Sequence, residues 1–190
     1  MKKIRTFLAA LTAVTMCVGA VPVAQVHLPQ VSVVASAEDL TYDNLTYEIV
    51  GDETKTVTIT GCDQNATTIE VPAEIEGMPV TKIGNRAFQD CPNLSKVTIS
   101  DSVIDFGENV FTRDTSLRAV KLPVNLKEMG NEMFSDCTSL KEVTLPEQLA
   151  SLPSRTFLGC TNLTTVSIPE GVTSLGDSVF ANCSNLKSVT

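Results

Sequence analysis

AFQDCPNLSKVTI, residues 87–99, carries two patterns side by side. Its second half alternates. Val97 and Ile99 fall on one side of an extended chain, and Lys96, Thr98 and Ser100 fall on the other, which is the pattern of a short half-buried strand. Its first half, taken back to Ile83, sets Ile83, Ala87, Phe88, Cys91 and Leu94 at offsets of 4, 1, 3 and 3. That spacing predicts a helical turn or two with one face inward.

The same stretch then recurs with a period of 23 residues, unbroken by insertion or deletion, from Val80 onward. Phe88, Phe111, Phe134, Phe157 and Phe180 form one column. Leu94, Leu117, Leu140, Leu163 and Leu186 form a second, and Val97, Val120, Val143, Val166 and Val189 a third. Ile99, Leu122, Leu145 and Ile168 complete the set. A fixed period in this range marks a solenoid with one coil per repeat, of the leucine-rich-repeat type. Pro123, Pro146 and Pro169 close the strands, because proline cannot continue a ladder in its interior. Gly84, Gly107, Gly130 and Gly176 precede the return limb and predict a left-handed or tight bend there; Pro153 replaces them in the fourth block.

The expected fold is therefore an α/β repeat solenoid with 23-residue coils, a short parallel concave sheet and short helical turns on the convex side. Ahead of the repeats, YEIVGDETKTVTITG predicts a hairpin around Gly51 and Asp52. TIEVPAEIEGMPV predicts an irregular first coil with Ile69 and Val71 in the strand columns. Residues 38–79 are thus an irregular β-hairpin N-terminal cap and first coil, and residues 80–190 hold four full repeats and one unfinished.

The chain opens with Lys2, Lys3 and Arg5, followed by an apolar run from Phe7 to Val21. Ala35 and Ala37 fit a small-x-small cleavage site, so residues 1–37 read as a secretory signal peptide cut after Ala37, with Ala20 and Ala24 as rival sites. Gly19, Pro22 and Gln25 interrupt the run before it suits a membrane span. Cys17 follows Met16 rather than the small residue of a lipoprotein signal. The leader holds three of the 14 basic residues and none of the 22 acidic ones, which leaves a net charge of −11 on the rest. That balance argues against nucleic acid and anionic membranes as partners. The only histidine, His27, lies in the leader, so the mature chain lacks a histidine base or metal ligand.

The pattern IGxxAFxxCxxLxxVxIP resembles the BspA-like leucine-rich repeats of bacterial surface proteins over residues 80–190, and the hairpin segment resembles the amino-terminal piece of that family. The resemblance implies a secreted or wall-attached protein, in some members an adhesin for host matrix proteins or for other bacteria. In others the repeats stand beside an enzyme or anchoring module.

Cys91, Cys137, Cys160 and Cys183 share one column, and Cys62 is expected in the same slot one coil earlier. Equivalent slots stack about 4.8 Å apart with parallel side chains, a poor geometry for disulfides or zinc. Buried apolar thiols are the expected outcome. Asp114 breaks this column; the expectation is that its coil loosens and turns it to solvent, the alternative being an inward carboxyl that pairs with Arg113 or Arg118 or stays protonated. The carboxylates of the return limb, such as Asp90 and Glu132, lack calcium-loop spacing.

The outward strand positions form two rows: Lys96, Ala119, Glu142, Thr165 and Ser188, then Thr98, Lys121, Thr144, Ser167 and Thr190. Curved solenoids bind partners on such a face, so Lys96, Thr98, Lys121, Glu142, Thr144, Thr165 and Ser167 are the candidate protein-binding residues. Neither row has the Tyr, Trp or Arg of binding hot spots. The expected function is an exported interaction module for adhesion or protein binding, without enzymatic activity or cofactor. The alternative is a structural spacer carrying an anchor or enzymatic domain encoded beyond residue 190. The unfinished fifth block predicts continuation past Thr190, or end-to-end self-association through an uncapped last coil.

Overall fold

The computed structural model describes residues 39–190. The signal-peptide reading of residues 1–37 lies outside the described residues. The described residues open with three strands: β1 (Leu40–Tyr42), β2 (Leu45–Val50) and β3 (Thr56–Cys62), paired antiparallel in that order. The expected hairpin is thus β2–β3, turning through Gly51 in a positive-φ conformation that glycine adopts freely.

From there successive coils add strands or single bridges to two parallel ladders. In the first sheet, β4 (Thr68–Val71) pairs with the third strand after it in the chain. Between them lie β5 (Glu74–Ile75) and β6 (Met78–Ile83), then that partner, β7 (Lys96–Ile99). After β8 (Asp105–Phe106), the first sheet continues through β9 (Ala119–Lys121) and β10 (Glu142–Thr144), all parallel. β11 (Ser151–Leu152) follows, then β12 (Thr165–Val166), β13 (Ser174–Leu175) and β14 (Ser188–Val189). β12 pairs with β14, and a bridge from Thr144 to Ser167 carries the first sheet across to them. The second sheet runs from β3 through β6 to β8, then by a bridge from Asp105 to Glu128; β11 and β13 repeat its pairing further along. The cap is therefore not a lid laid over the solenoid. Its last strand serves as the first rung of the second sheet.

The repeat columns fill the space between the sheets. Val97, Val120, Val143 and Val166, with Leu94, Leu117, Leu140 and Leu163, are buried. Each such side chain contributes roughly 1.5–3 kcal/mol by leaving water. The phenylalanines stack coil on coil. Phe111, Phe134, Phe157 and Phe180 lie with ring centroids 5.3, 5.6 and 5.6 Å apart and planes within 4° of parallel. Phe88 begins the column 5.4 Å from Phe111, tilted by 37°.

The expected helical turns on the return limb are absent: among the described residues there is no helix. A helix needs consecutive amides donating four residues back. Here alternate amides leave the coil altogether. Those of Arg86, Phe88 and Asp90 donate to the carbonyls of Glu108, Val110 and Thr112 in the next coil. The amides between them, Ala87 and Gln89, close tight turns on Gly84 and Arg86. Two residues per limb adopt left-handed φ, Arg86 and Asp90 in one coil, Asn109 and Arg113 in the next, Glu132 and Asp136 in the third. Left-handed backbone costs about 1–2 kcal/mol for a residue with a Cβ, and the hydrogen bonds between coils offset it. The limb is a ladder of turns, and it bonds along the solenoid axis as the sheets do.

The glycine column has a different cause from the expected one. Gly107 and Gly130 do not have positive φ. They are small because successive coils touch there. A Cβ on Gly107 would lie 2.6 Å from the Asn85 amide nitrogen, and one on Gly130 would overlap the Gly107 carbonyl oxygen.

Candidate functional site

The first sheet presents two exposed rows in strict register. Thr68, Lys96, Ala119 and Glu142 are paired neighbours across β4, β7, β9 and β10. Glu70, Thr98, Lys121 and Thr144 form the second row. All are exposed, while Ile69, Val97, Val120 and Val143 between them are buried. Thr165, opposite Ser188, and Ser167, bridged to Thr144, extend the rows and are also exposed. The structure thus places Lys96, Thr98, Lys121, Glu142, Thr144, Thr165 and Ser167 on one face.

Both signs of charge share this face, with Glu70 and Glu142 on the strands that flank those of Lys96 and Lys121. The ion pairs of the described residues lie elsewhere: Lys82 with Asp105 at 2.6 Å, Arg113 with Asp90 at 2.6 Å and Arg155 with Glu132 at 2.9 Å. The four charged groups of the face are therefore open to solvent and to a partner.

Three features of the face escaped the sequence reading. Thr68 and Glu70 belong to it, a placement that follows once TIEV is aligned on KVTI. The β1–β2 turn overhangs its first strands, so that Asp43 and Asn44 enclose with Glu70, Lys96 and Thr98 an open cleft of about 580 Å³. Finally, Ser95, Arg118, Lys141, Thr164 and Lys187 form a backbone-bonded column immediately before the strands. Arg118, Lys141 and Lys187 are exposed, which gives the face a basic margin on an otherwise acidic chain. Their common spacing of 23 was the available signal.

The cysteine column is chemically quiet. Cys137, Cys160 and Cys183 donate to the carbonyls of Phe111, Phe134 and Phe157, one coil back, at 2.9, 3.0 and 3.0 Å. Burial raises all three thiols above their ordinary range, so none is a thiolate at neutral pH. Cys62, at the end of β3, stands next to Cys91. Its sulfur faces that of Cys91 at 3.0 Å across a separation of 29 residues. That hydrogen bond, with burial, raises the Cys91 thiol well above its usual range.

Asp114 does not turn to solvent. It is fully buried, and its Oδ1 accepts the Cys91 amide at 2.8 Å. Arg113 is committed to Asp90 through two contacts of 2.6 Å, and Arg118 is exposed. The second oxygen, Oδ2, is buried without a partner. Burial, with the neighbouring Cys91 and Asp90, pushes the carboxyl up to about 9, so it is protonated at neutral pH. The coil keeps its packing by taking the acid in neutral form. No group of three or more metal-ligating side chains gathers among the described residues.

Comparison with known proteins agrees with this architecture. Residues 62–190 match the BspA type leucine rich repeat region in six copies. The chain is similar to the leucine-rich repeat protein of T. pallidum, at 28% identity and a TM-score of 0.74, over 80% of this chain and 71% of that one. It is also similar to a leucine-rich repeat protein of Bacteroides ovatus, at 30% identity and a TM-score of 0.72, over 80% of this chain and 41% of that one. A leucine-rich repeat protein of Eubacterium ventriosum, 23% identical with a TM-score of 0.61 over 77% of this chain and 39% of that one, shares the fold. None of the curated proteins matches. With its 23-residue coils, two parallel sheets and stacked phenylalanines, the chain belongs to the BspA type leucine-rich repeat proteins.

Proposed function

We propose that the protein is exported to the cell surface and binds another protein, as an adhesin or docking module, through the exposed face of the first sheet. The observation that carries this reading is the pair of registered, solvent-open rows with Glu70, Lys96, Lys121 and Glu142 free of ion pairs among the described residues. Family membership supports it, since leucine-rich repeats of this kind are generally surface or protein-binding. The small side chains favour wide, shallow contact rather than a few deep anchors.

The test is binding of the purified chain to immobilised host matrix proteins and bacterial surface proteins. Reversing Lys96, Lys121 and Glu142 in charge is expected to weaken a positive interaction at least about tenfold, chiefly by misdirecting encounter. Unchanged binding would move the site off this face. No binding to any protein would favour the spacer, with these coils holding a module encoded elsewhere in a longer chain.

A further inference from the structure

Cys62 lies at the end of β3, where the cap gives way to the first coil, and Cys91 lies in the turn limb that follows β6. Their sulfurs are 3.0 Å apart. Cys91 is buried and Cys62 half-buried, so one thiol is reachable and the other stands behind it. The remaining described thiols have other partners, the carbonyls of Phe111, Phe134 and Phe157. Asp114 fills the slot next to Cys91 in the column, so no thiol in the adjacent coil competes for it.

We infer that Cys62 and Cys91 are a disulfide-forming pair that staples the N-terminal cap to the solenoid when the chain meets a disulfide donor. A disulfide sets its sulfurs about 2.05 Å apart on converging Cβ atoms. The two sulfurs stand 3.0 Å apart, about 1 Å beyond that bond length. In the first step the Cys62 thiolate attacks the donor disulfide, forming a mixed disulfide and releasing one donor thiol. In the second, the deprotonated Cys91 sulfur displaces the other donor thiolate from Cys62. The two protein thiols together lose two electrons and two protons, and the donor gains them as two thiols. The donor class is a disulfide oxidoreductase or a small-molecule disulfide. The inference stands on the sulfur geometry and does not rest on the proposed binding face.

The full chain, purified reduced, is treated with oxidised glutathione, alkylated and digested with trypsin. The expected product joins the peptides of residues 56–82 and 87–96, with every other cysteine alkylated. Closing this loop is expected to raise the melting temperature by roughly 10 °C. Cys62→Ser, a change at a half-buried position, is expected to keep the far-UV spectrum and to lose both the cross-link and the rise. Three results would overturn the inference: no such cross-link in the oxidised chain, cross-links scattered among the other cysteines, or an equal rise in Cys62→Ser.

Discussion

Phe134→Ala lowers the stability of the solenoid by about 5 kcal/mol. Phe134 is fully buried and is sandwiched between Phe111 and Phe157 at 5.3 and 5.6 Å. Truncating a buried phenylalanine costs about 3–5 kcal/mol through lost transfer and the cavity left behind. The loss of two ring contacts adds roughly 0.5–1.5 kcal/mol each, which sets the value at the upper end of the range. The melting temperature of a chain this size falls by roughly 15 °C. Thermal unfolding followed by far-UV circular dichroism reads it. Phe180→Ala is the control, because Phe180 is only partly buried and, among the described residues, stacks on Phe157 alone. Its cost is expected to be less than half as large. Equal losses in the two variants would mean that the stack does not couple neighbouring coils.

The stability of the wild-type chain is expected to fall as pH rises from about 4 towards 9, the reverse of a surface carboxylate. Asp114 ionises in the unfolded chain above its ordinary value of about 3.9, whereas the folded chain holds the proton up to about 9. Across that window the native state binds one proton more than the unfolded state, so each pH unit costs stability. The part of the shift that falls between pH 4 and pH 7 amounts to roughly 4 kcal/mol, an upper figure because local opening of the coil relieves part of it. Asp114→Asn keeps the oxygen that accepts the Cys91 amide and carries no titrating proton. The variant is expected to be several kcal/mol more stable than wild type at pH 8 and close to it at pH 4. Urea denaturation at a series of pH values checks this. Parallel pH profiles for the two proteins would show that Asp114 reaches water in the folded state.

The strand columns were legible because burial on one side of a strand forces a period of two, and the coil length repeats it without error. Val97, Val120 and Val143 face inward as the alternation requires. The turn limb was misread for a physical reason. Ile83, Ala87, Phe88, Cys91 and Leu94 do all face inward, and a chain of three-residue turns presents inward positions at the same spacing as a helix. What separates the two is the destination of the amides, which no single coil reveals. A clue lay in the column Asp90, Arg113, Asp136, Gly159 and Asn182, where left-handed backbone recurs in every coil and Asp, Asn and Gly are favoured. Asp114 was expected in solvent because a buried carboxyl must find a partner or keep its proton; the packing of its coil selects the protonated alternative. The repeat set Cys62 one slot before Cys91, but the 3.0 Å approach of their sulfurs was not legible, since 29 residues is not a multiple of 23 and the cap returns by its own path. On the binding face, the two rows follow from the period, whereas the overhang of Asp43 and Asn44 depends on how the hairpin is set.

The ladder of turns on the third side of each coil has a mechanical consequence. Because the limb bonds to the next coil as both sheets do, nearly every structural hydrogen bond between coils runs parallel to the solenoid axis. Tension applied along that axis loads the bonds of one interface after another, never many interfaces in parallel. The molecule yields one coil at a time, and each 23-residue coil that opens pays out about 75 Å of chain. A protein built this way lengthens in steps under a tug and keeps the coils that have not yet opened intact.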